Sequence, residues 1–376
     1  SIGGNTTNNL LGRYDDLIRD FGRYVIFGLS LGNEGIHDAA DRNAIFTQWR
    51  DNMLKLIKKV RADGKIPVVM NNYTRGDYNA SDYSYVKKLN LLIHEWDVPS
   101  FNCLGSIDKG DGTWADGYVS DTYHQNTEGH YEFFCSMVPS LFDALKADKT
   151  FPKRNTTKSM RLYVGKTVHF VPEGTTHPFT VTARVKGGEG HVFRVRCAGG
   201  YATVSVNAEG KVVLTTPTGK TLTSTRAITD TNWHNITLTS YYAQKRTILY
   251  LDKISAGELG VRLGEIKEVE LGGSNREVSE LTFWRSAMTP DEITAHCNGK
   301  MLKSSLEIYV PLSDEAPLEN LAQSTNTVTV HEDVTDINGI PFSPDDSKQI
   351  YNISGQPIAL FQRGINIIGG KKVIKE

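Results

Sequence analysis

Cysteine is scarce in this chain, and net charge is nearly absent. Only four cysteines occur in 376 residues, Cys103, Cys135, Cys197 and Cys297, and no two are close together. That spacing leaves no zinc knuckle and no Cys-x-x-Cys redox pair. Two options stay open: disulfides Cys103–Cys135 and Cys197–Cys297, or four thiols packed as small apolar groups. The formal net charge is −1, with 23% charged residues. A basic field suited to nucleic acid is therefore missing. No apolar run reaches about 18 residues, so no membrane-spanning helix is predicted. The opening Ser1-Ile2-Gly3-Gly4 has neither Met nor a signal-peptide h-region, and reads as a trimmed start or a fragment. The length allows two or three domains.

What is present changes character along the chain. Up to about residue 150, strand and helix patterns alternate. Tyr24 to Leu31 and Ile66 to Met70 read as short buried strands, and Val98 to Leu104 as a third. Asp41 can cap a helix ending near Gly64, with Ile45, Trp49, Met53, Leu56, Ile57 and Val60 at helical spacing. A second helix follows Ser81, with Tyr83, Val86, Leu89 and Ile93 on one side. A last helix carries Tyr131, Phe134, Cys135, Val138, Leu141, Phe142 and Leu145 on one face, and Pro139 should kink or divide it. This order predicts a parallel sheet covered on both faces.

Lys146 to Lys158 is polar and reads as a linker. Beyond it, short alternating strands recur between Gly, Asn and Pro turns, from FTVTARV and HVFRVRC to LTFWR and LEIYVPL. That pattern predicts an antiparallel sandwich over residues 158–314. Trp233-His234-Asn235-Ile236-Thr237-Leu238, followed by Ile248-Leu249-Tyr250-Leu251-Asp252, resembles the core of laminin-G or concanavalin A-like modules. Ala287 to Ile293 looks like their short closing helix. Trp233 and Trp284 are expected in the core. Tyr241 and Tyr242, near a hairpin turn, could stack on a sugar or pack locally. Within the stretch 335–376, Ile350 to Lys375 reads IYNISGQPIALFQRGINIIGGKKVIK. It is similar to the C-terminal sorting tails of proteins secreted by Bacteroidetes-type bacteria, and reads as a few β-strands. That resemblance implies a secreted or cell-surface protein.

Chemistry gathers at two short segments, Gly32-Asn33-Glu34-Gly35 and Asp121-Thr122-Tyr123-His124. Asp121 lies three residues before His124, so one loop can present both side chains. A neutral imidazole can act as a base, and a neighbouring carboxylate can hold its tautomer. Sites in open α/β sheets lie at the carboxyl ends of the strands. Together these segments resemble the last two blocks of SGNH (GDSL-type) ester hydrolases. The start, Ser1-Ile2-Gly3-Gly4-Asn5-Thr6-Thr7, looks like that family's second block.

The resemblance implies a flavodoxin-like α/β domain over 1–150, N-terminally incomplete, beside the β-sandwich. It implies His124 and Asp121 as catalytic residues, with Gly4 and Asn33 forming the oxyanion hole. This chain has Glu34 where that block has Asp. No Gly-Asp-Ser occurs, and neither Ser1 nor Ser30 suits the nucleophile, so the chain as it stands is expected to lack one. Without the preceding strand, Tyr24 to Leu31 should form a sheet edge. The implied function is a secreted Ser-His-Asp ester hydrolase, acting on acylated carbohydrate or another ester, with a lectin-like module that could hold a glycan. The alternatives are a non-catalytic glycan-binding or adhesion protein and a lipid or acyl-thioester hydrolase. No cofactor is expected. Asp121, His124, Glu128 and His130 could together suggest a metal cluster, but none is expected, because His130 falls on the following helix and Glu128 suits a helix N-terminus.

Overall fold

The computed structural model describes residues 2–315, 318–332, 350–352, 357–358, 363–368 and 371–375. The N-terminal half comprises α1 (Thr7–Gly12), α2 (Tyr14–Leu17), β1 (Tyr24–Phe27), α3 (Arg42–Ala62), β2 (Ile66–Met70), α4 (Ala80–Glu95), β3 (Ser100–Phe101), α5 (Leu104–Ile107), α6 (Thr127–Cys135) and α7 (Leu141–Lys146). Three parallel strands form a sheet in the order β1-β2-β3, with Tyr24 opposite Ile66 and Val69 opposite Ser100. Phe27 and Val69 pack against Trp49, Met53 and Leu56 of α3 and Val86 and Leu89 of α4. Val68 and Phe101 pack on the other face against Ile107, Phe133, Leu141 and Leu145. The pleat sends neighbouring residues to opposite faces, so both sides are apolar and both are covered. In this three-stranded sheet β1 is an edge, on which Ile26 is 51% exposed.

The second half is a two-sheet sandwich. Its strands are β4 (Met160–Leu162), β5 (Lys166–Phe170), β6 (Phe179–Lys186), β7 (Gly190–Cys197), β8 (Gly200–Val206), β9 (Lys211–Thr215), β10 (Thr221–Ala227), β11 (His234–Tyr241), β12 (Arg246–Leu251), β13 (Ile254–Leu259), β14 (Ile266–Gly272), β15 (Arg276–Trp284), β16 (Leu306–Pro311) and β17 (Thr329–Glu332). One sheet runs β10-β9-β8-β7-β14-β5-β17; the other runs β13-β12-β11-β6-β15-β16, with β4 also on β15. Val181, Ala183, Ile236, Leu238 and Phe283 from one sheet meet Val195, Val204, Leu214, Val269 and Leu271 from the other. Helix α8 (Pro290–Cys297) closes the sandwich, started by a reciprocal cap between Thr289 and Glu292. The alternating segments FTVTARV, HVFRVRC, LTFWR and LEIYVPL fall on β6, β7, β15 and β16.

Of the tail expected over 335–376, residues Ile350–Asn352 (β18), Pro357–Ile358 (β19), Gly364–Ile368 (β20) and Lys371–Lys375 (β21) form a sheet in the order β19-β18-β20-β21. The rest of that stretch lies outside the described residues.

Several local expectations change. The first strand ends at Phe27, not Leu31. Beyond it, side chains replace ladder partners: Asn72 Oδ1 accepts the Leu31 N–H at 2.5 Å, and Trp49 Nε1 donates to the Leu29 carbonyl at 2.9 Å. The helix expected after Ser81 starts one residue before it, at Ala80, and Asn79 caps it. The third strand shrinks to Ser100–Phe101, and Leu104 opens the short α5. The last helix is divided ahead of Pro139, and its halves do not share one face. In α6 the buried residues are Gly129, Glu132, Phe133 and Cys135, whereas Tyr131 and Phe134 are exposed. A single periodicity carried across the break misassigns the first half, because each helix has its own phase. Trp284 is fully buried, but Trp233 is only half-buried, beneath the Arg184 guanidinium at 4.8 Å. All four cysteines are free thiols, three of them buried.

The two halves are joined through buried polar groups. His94 of α4 donates from Nε2 to Glu292 Oε1 of α8 at 2.8 Å, because its Nδ1 already accepts the Ser304 N–H at 3.0 Å. Asn102 Nδ2 donates to the same Glu292 oxygen at 2.6 Å. Thr289 donates twice to the other oxygen. Arg285 donates to the Cys135 carbonyl at 2.9 Å and pairs with Glu307 at 2.8 Å. The stretch between the halves is itself anchored: Arg154 pairs with Glu280, and the Asn155 N–H donates to Tyr309 Oη at 2.5 Å. Buried carboxylates persist only with such donor sets.

Candidate active site

Three loops meet at the ends of β1 and β2. The loop after β1 carries Asn33. Its carboxamide Nδ2 donates to the Asn5 carbonyl at 3.3 Å, which brings the Gly4–Asn5 turn beside it. Gly4 has a φ of +70°, and a Cβ there would meet nothing within 4 Å, so its backbone is open to solvent. Glu34 is buried. Its carboxylate accepts the Thr7 N–H at 2.5 Å and Gln48 Nε2 at 3.1 Å. The longer acid therefore ties the start of α1 to the Asn33 turn and to α3. Ser30 is buried, and its Oγ accepts the Asn33 N–H at 3.3 Å, so it caps this turn from within.

The Asp121–His124 loop is held by its own aspartate. Asp121 Oδ1 accepts the Tyr123 N–H at 2.7 Å and the His124 N–H at 2.9 Å. His124 Nδ1 lies 3.0 Å from each oxygen of the same carboxylate. The Tyr123 backbone N–H and then the imidazole hold the Asp121 carboxyl below its usual range. Both side chains face solvent, His124 at 71% exposure. Its Nε2 has no hydrogen-bond partner among the described residues. The arrangement orients an imidazole with one nitrogen held and the other free.

Arg75, in the loop after β2, connects the two sites and was missed by the sequence reading. Its side chain packs so closely on Gly32 that a Cβ there would overlap the guanidinium. The guanidinium also lies 4.4 Å from the Tyr123 ring centroid and pairs with Asp77 at 2.7 Å. Next to it, the Gly76 N–H donates to the Thr122 carbonyl at 2.9 Å. The available signal was position: Thr74-Arg75-Gly76-Asp77 lies in the loop that opens three residues earlier at the end of a parallel strand, where sheet-end loops gather.

The other candidates are taken up by local packing. His130 Nδ1 lies 3.2 Å from Gln125 Nε2. Among the described residues, no group of three His, Cys, Asp or Glu side chains could hold a metal ion. Tyr241 is buried and donates to the Met288 carbonyl at 2.6 Å, while Tyr242 stacks on His177 at 3.7 Å between centroids. No described helix is long and apolar enough to cross a membrane.

No protein-family model matches the chain, and no curated protein does. Solved structures with partial similarity include a chain from Bacteroides ovatus provisionally described as a carbohydrate-binding protein, at 12% identity and TM-score 0.37, covering 48% of this chain and 62% of its own. Domains LG4-5 of the mouse laminin alpha1 chain are similar at 14% identity and TM-score 0.30, covering 38% and 45%. A chain from Bacteroides fragilis provisionally described as an acylhydrolase is similar at 16% identity and TM-score 0.29, covering 35% and 67%. At these levels the similarities assign neither family nor activity.

Proposed function

We propose that the N-terminal half is the acid–base and oxyanion portion of a Ser-His-Asp ester hydrolase, and that the sandwich holds a glycan. The observation that carries the first part is the His124 imidazole, oriented by both oxygens of Asp121 at 3.0 Å and free at Nε2. In ester cleavage His124 would take a serine proton through Nε2 and pass it to the leaving alcohol. Asp121 would keep the other proton on Nδ1 and stabilise the imidazolium. The Gly4 backbone N–H and the Asn33 carboxamide would donate to the oxyanion. A serine nucleophile would have to be supplied beside His124 Nε2. Acylated sugars or polysaccharides are the substrates that pairing with a glycan-binding sandwich suggests, for a secreted or cell-surface protein. One observation favours a non-catalytic glycan-binding role instead: no described serine, threonine or cysteine side chain hydrogen-bonds His124.

The test assays the full gene product on p-nitrophenyl acetate and on an acetylated polysaccharide. His124→Ala should abolish turnover and leave the melting temperature unchanged, since the side chain is exposed. Asn33→Ala should lower kcat by about 10²–10³. Turnover that survives His124→Ala removes His124 from the mechanism, whereas no turnover on either ester removes the hydrolase reading and leaves glycan binding.

A further inference from the structure

One end of the sandwich holds a cavity of about 460 Å³ between the β6–β7, β10–β11 and β14–β15 connections, and it shares no lining residue with the His124 site. Three cations line it: Arg161, Lys186 and Arg276. Arg276 is 2% exposed. Its Nε donates to Ser274 Oγ at 3.0 Å, and Nη2 donates to the carbonyls of Gly188 and Gly190, each at 3.0 Å. All of these acceptors are neutral. Nη1 is buried and has no acceptor among the described residues. A charged group withdrawn from water normally has a counter-charge, since uncompensated burial is costly. The other buried arginine, Arg285, follows that rule through Glu307. Burial alone pulls the Arg276 pKa down to about 10.

The surrounding charges leave the cavity positive. Glu277 lies between Arg161 and Lys186 in cross-strand register, so one carboxylate faces two cations. Its distance to Lys186 Nζ is 3.9 Å, too long for a hydrogen bond. Asp230, the other acid of the lining, is engaged by His234 Nε2 at 3.0 Å. A compact anion would gain two partly neutralised cations and, once a small shift opens the buried Nη1 to the cavity, an unmatched guanidinium. A dianion would meet Asp230 and Glu277 as well. The same lining offers Thr229, Thr231 and Asn275 as partners for hydroxyl groups.

We propose that this cavity binds an acidic carbohydrate, taking its carboxylate or sulfate group on Arg276, Arg161 and Lys186 and its hydroxyls on the neighbouring threonines and asparagine. The proposal rests on the glycan-binding half of the function above and does not depend on the hydrolase half. It makes the sandwich selective for charged over neutral glycans.

Isothermal titration with the intact chain tests it, using three probes: trigalacturonic acid, a sulfated heparin tetrasaccharide and neutral galactotriose. Acidic probes should bind at least about tenfold more tightly than the neutral one, and binding should weaken with salt. Binding of only one acidic probe supports the site and names its anion. Arg161→Ala and Lys186→Ala lie near the surface and should each cost about three- to fivefold. Arg276→Gln should cost about 30-fold or more. Because Arg276 also ties three loop groups together, its variant is read beside the two exposed ones and a thermal melt. If galactotriose binds as well as the acidic probes, or if Arg161→Ala and Lys186→Ala leave their affinity unchanged, the anion site is refuted and glycan binding stands. If no probe binds, the anion site and the glycan reading fall together.

Discussion

The substitution Gly105→Ala tests whether the two halves are one body. Gly105 lies in α5, and its Cα faces the backbone of Ala287, in the connection between β15 and α8. A Cβ at Gly105 would sit 2.8 Å from the Ala287 carbonyl carbon, 3.0 Å from its nitrogen, and nearer still to its oxygen. Carbon atoms in good contact are about 3.5–4.0 Å apart. The two backbones must therefore separate by roughly 1 Å, and neither is a flexible side chain. Overpacking of this kind costs about 1–3 kcal/mol. Alanine returns at most about 1 kcal/mol of helix propensity, and less in so short a helix. Displacing the Ala287 segment also strains the nearby node where His94 and Asn102 donate to Glu292. A net loss of about 2 kcal/mol corresponds to roughly 3 °C for one cooperative body of about 300 residues. Thermal melts followed at 222 nm read the N-terminal half, where most of the helix lies. Gly12→Ala is the control, since a Cβ at that position meets nothing within 4 Å. A Gly105→Ala midpoint equal to wild type and to the control would refute the close approach, and with it the fused interface.

Two further predictions concern pH. Burial pushes the Asp108 carboxyl up to about 6, although Tyr83 Oη and the Gly110 N–H both donate to it. The native state then holds this proton more tightly than the unfolded chain between about pH 4 and 6, and the contribution to stability falls by about 3 kcal/mol as pH rises through that window. Asp108→Asn should gain stability relative to wild type between pH 4 and pH 7, measured as urea midpoints; a constant difference would contradict the assignment. His234 behaves oppositely. Burial lowers its pKa, but hydrogen bonds to Asp252 and Asp230, each at 3.0 Å, outweigh that and leave it raised. Its contribution is fully present below the unfolded value of about 6.5 and is lost as pH rises through the folded one. His234→Gln should therefore cost more at pH 5.5 than at pH 8.5, and an equal cost at both would show that the imidazole is neutral.

Much of the local structure was legible because it depends on near neighbours. Asp41 caps α3 as its position before an amphipathic run requires, and Trp49, Met53, Leu56 and Val60 are buried at helical spacing. Asp121 and His124 meet because three residues of turn can bring them together. The errors came where partners were distant. Gly28 to Leu31 is apolar enough to continue a strand, yet Asn72 and Trp49 draw it out of the sheet. Tyr131 and Phe134 keep the right spacing but lie on the wrong side of α6, because the break before Pro139 resets the helical phase.

The sequence by itself determined the periods, the caps, the change from βα units to alternating strands, and the pairing of one imidazole with one carboxylate. Hydrogen bonding and side-chain direction within a few residues carry all of these. Only the tertiary structure decided that Glu292 would receive His94 and Asn102 across the two halves, that Arg75 would lie between the Gly32 turn and the His124 loop, and that Arg276 would be buried with no acid partner among the described residues. Those outcomes depend on which surfaces meet when two covered sheets pack together, and residue spacing along the chain does not encode that meeting.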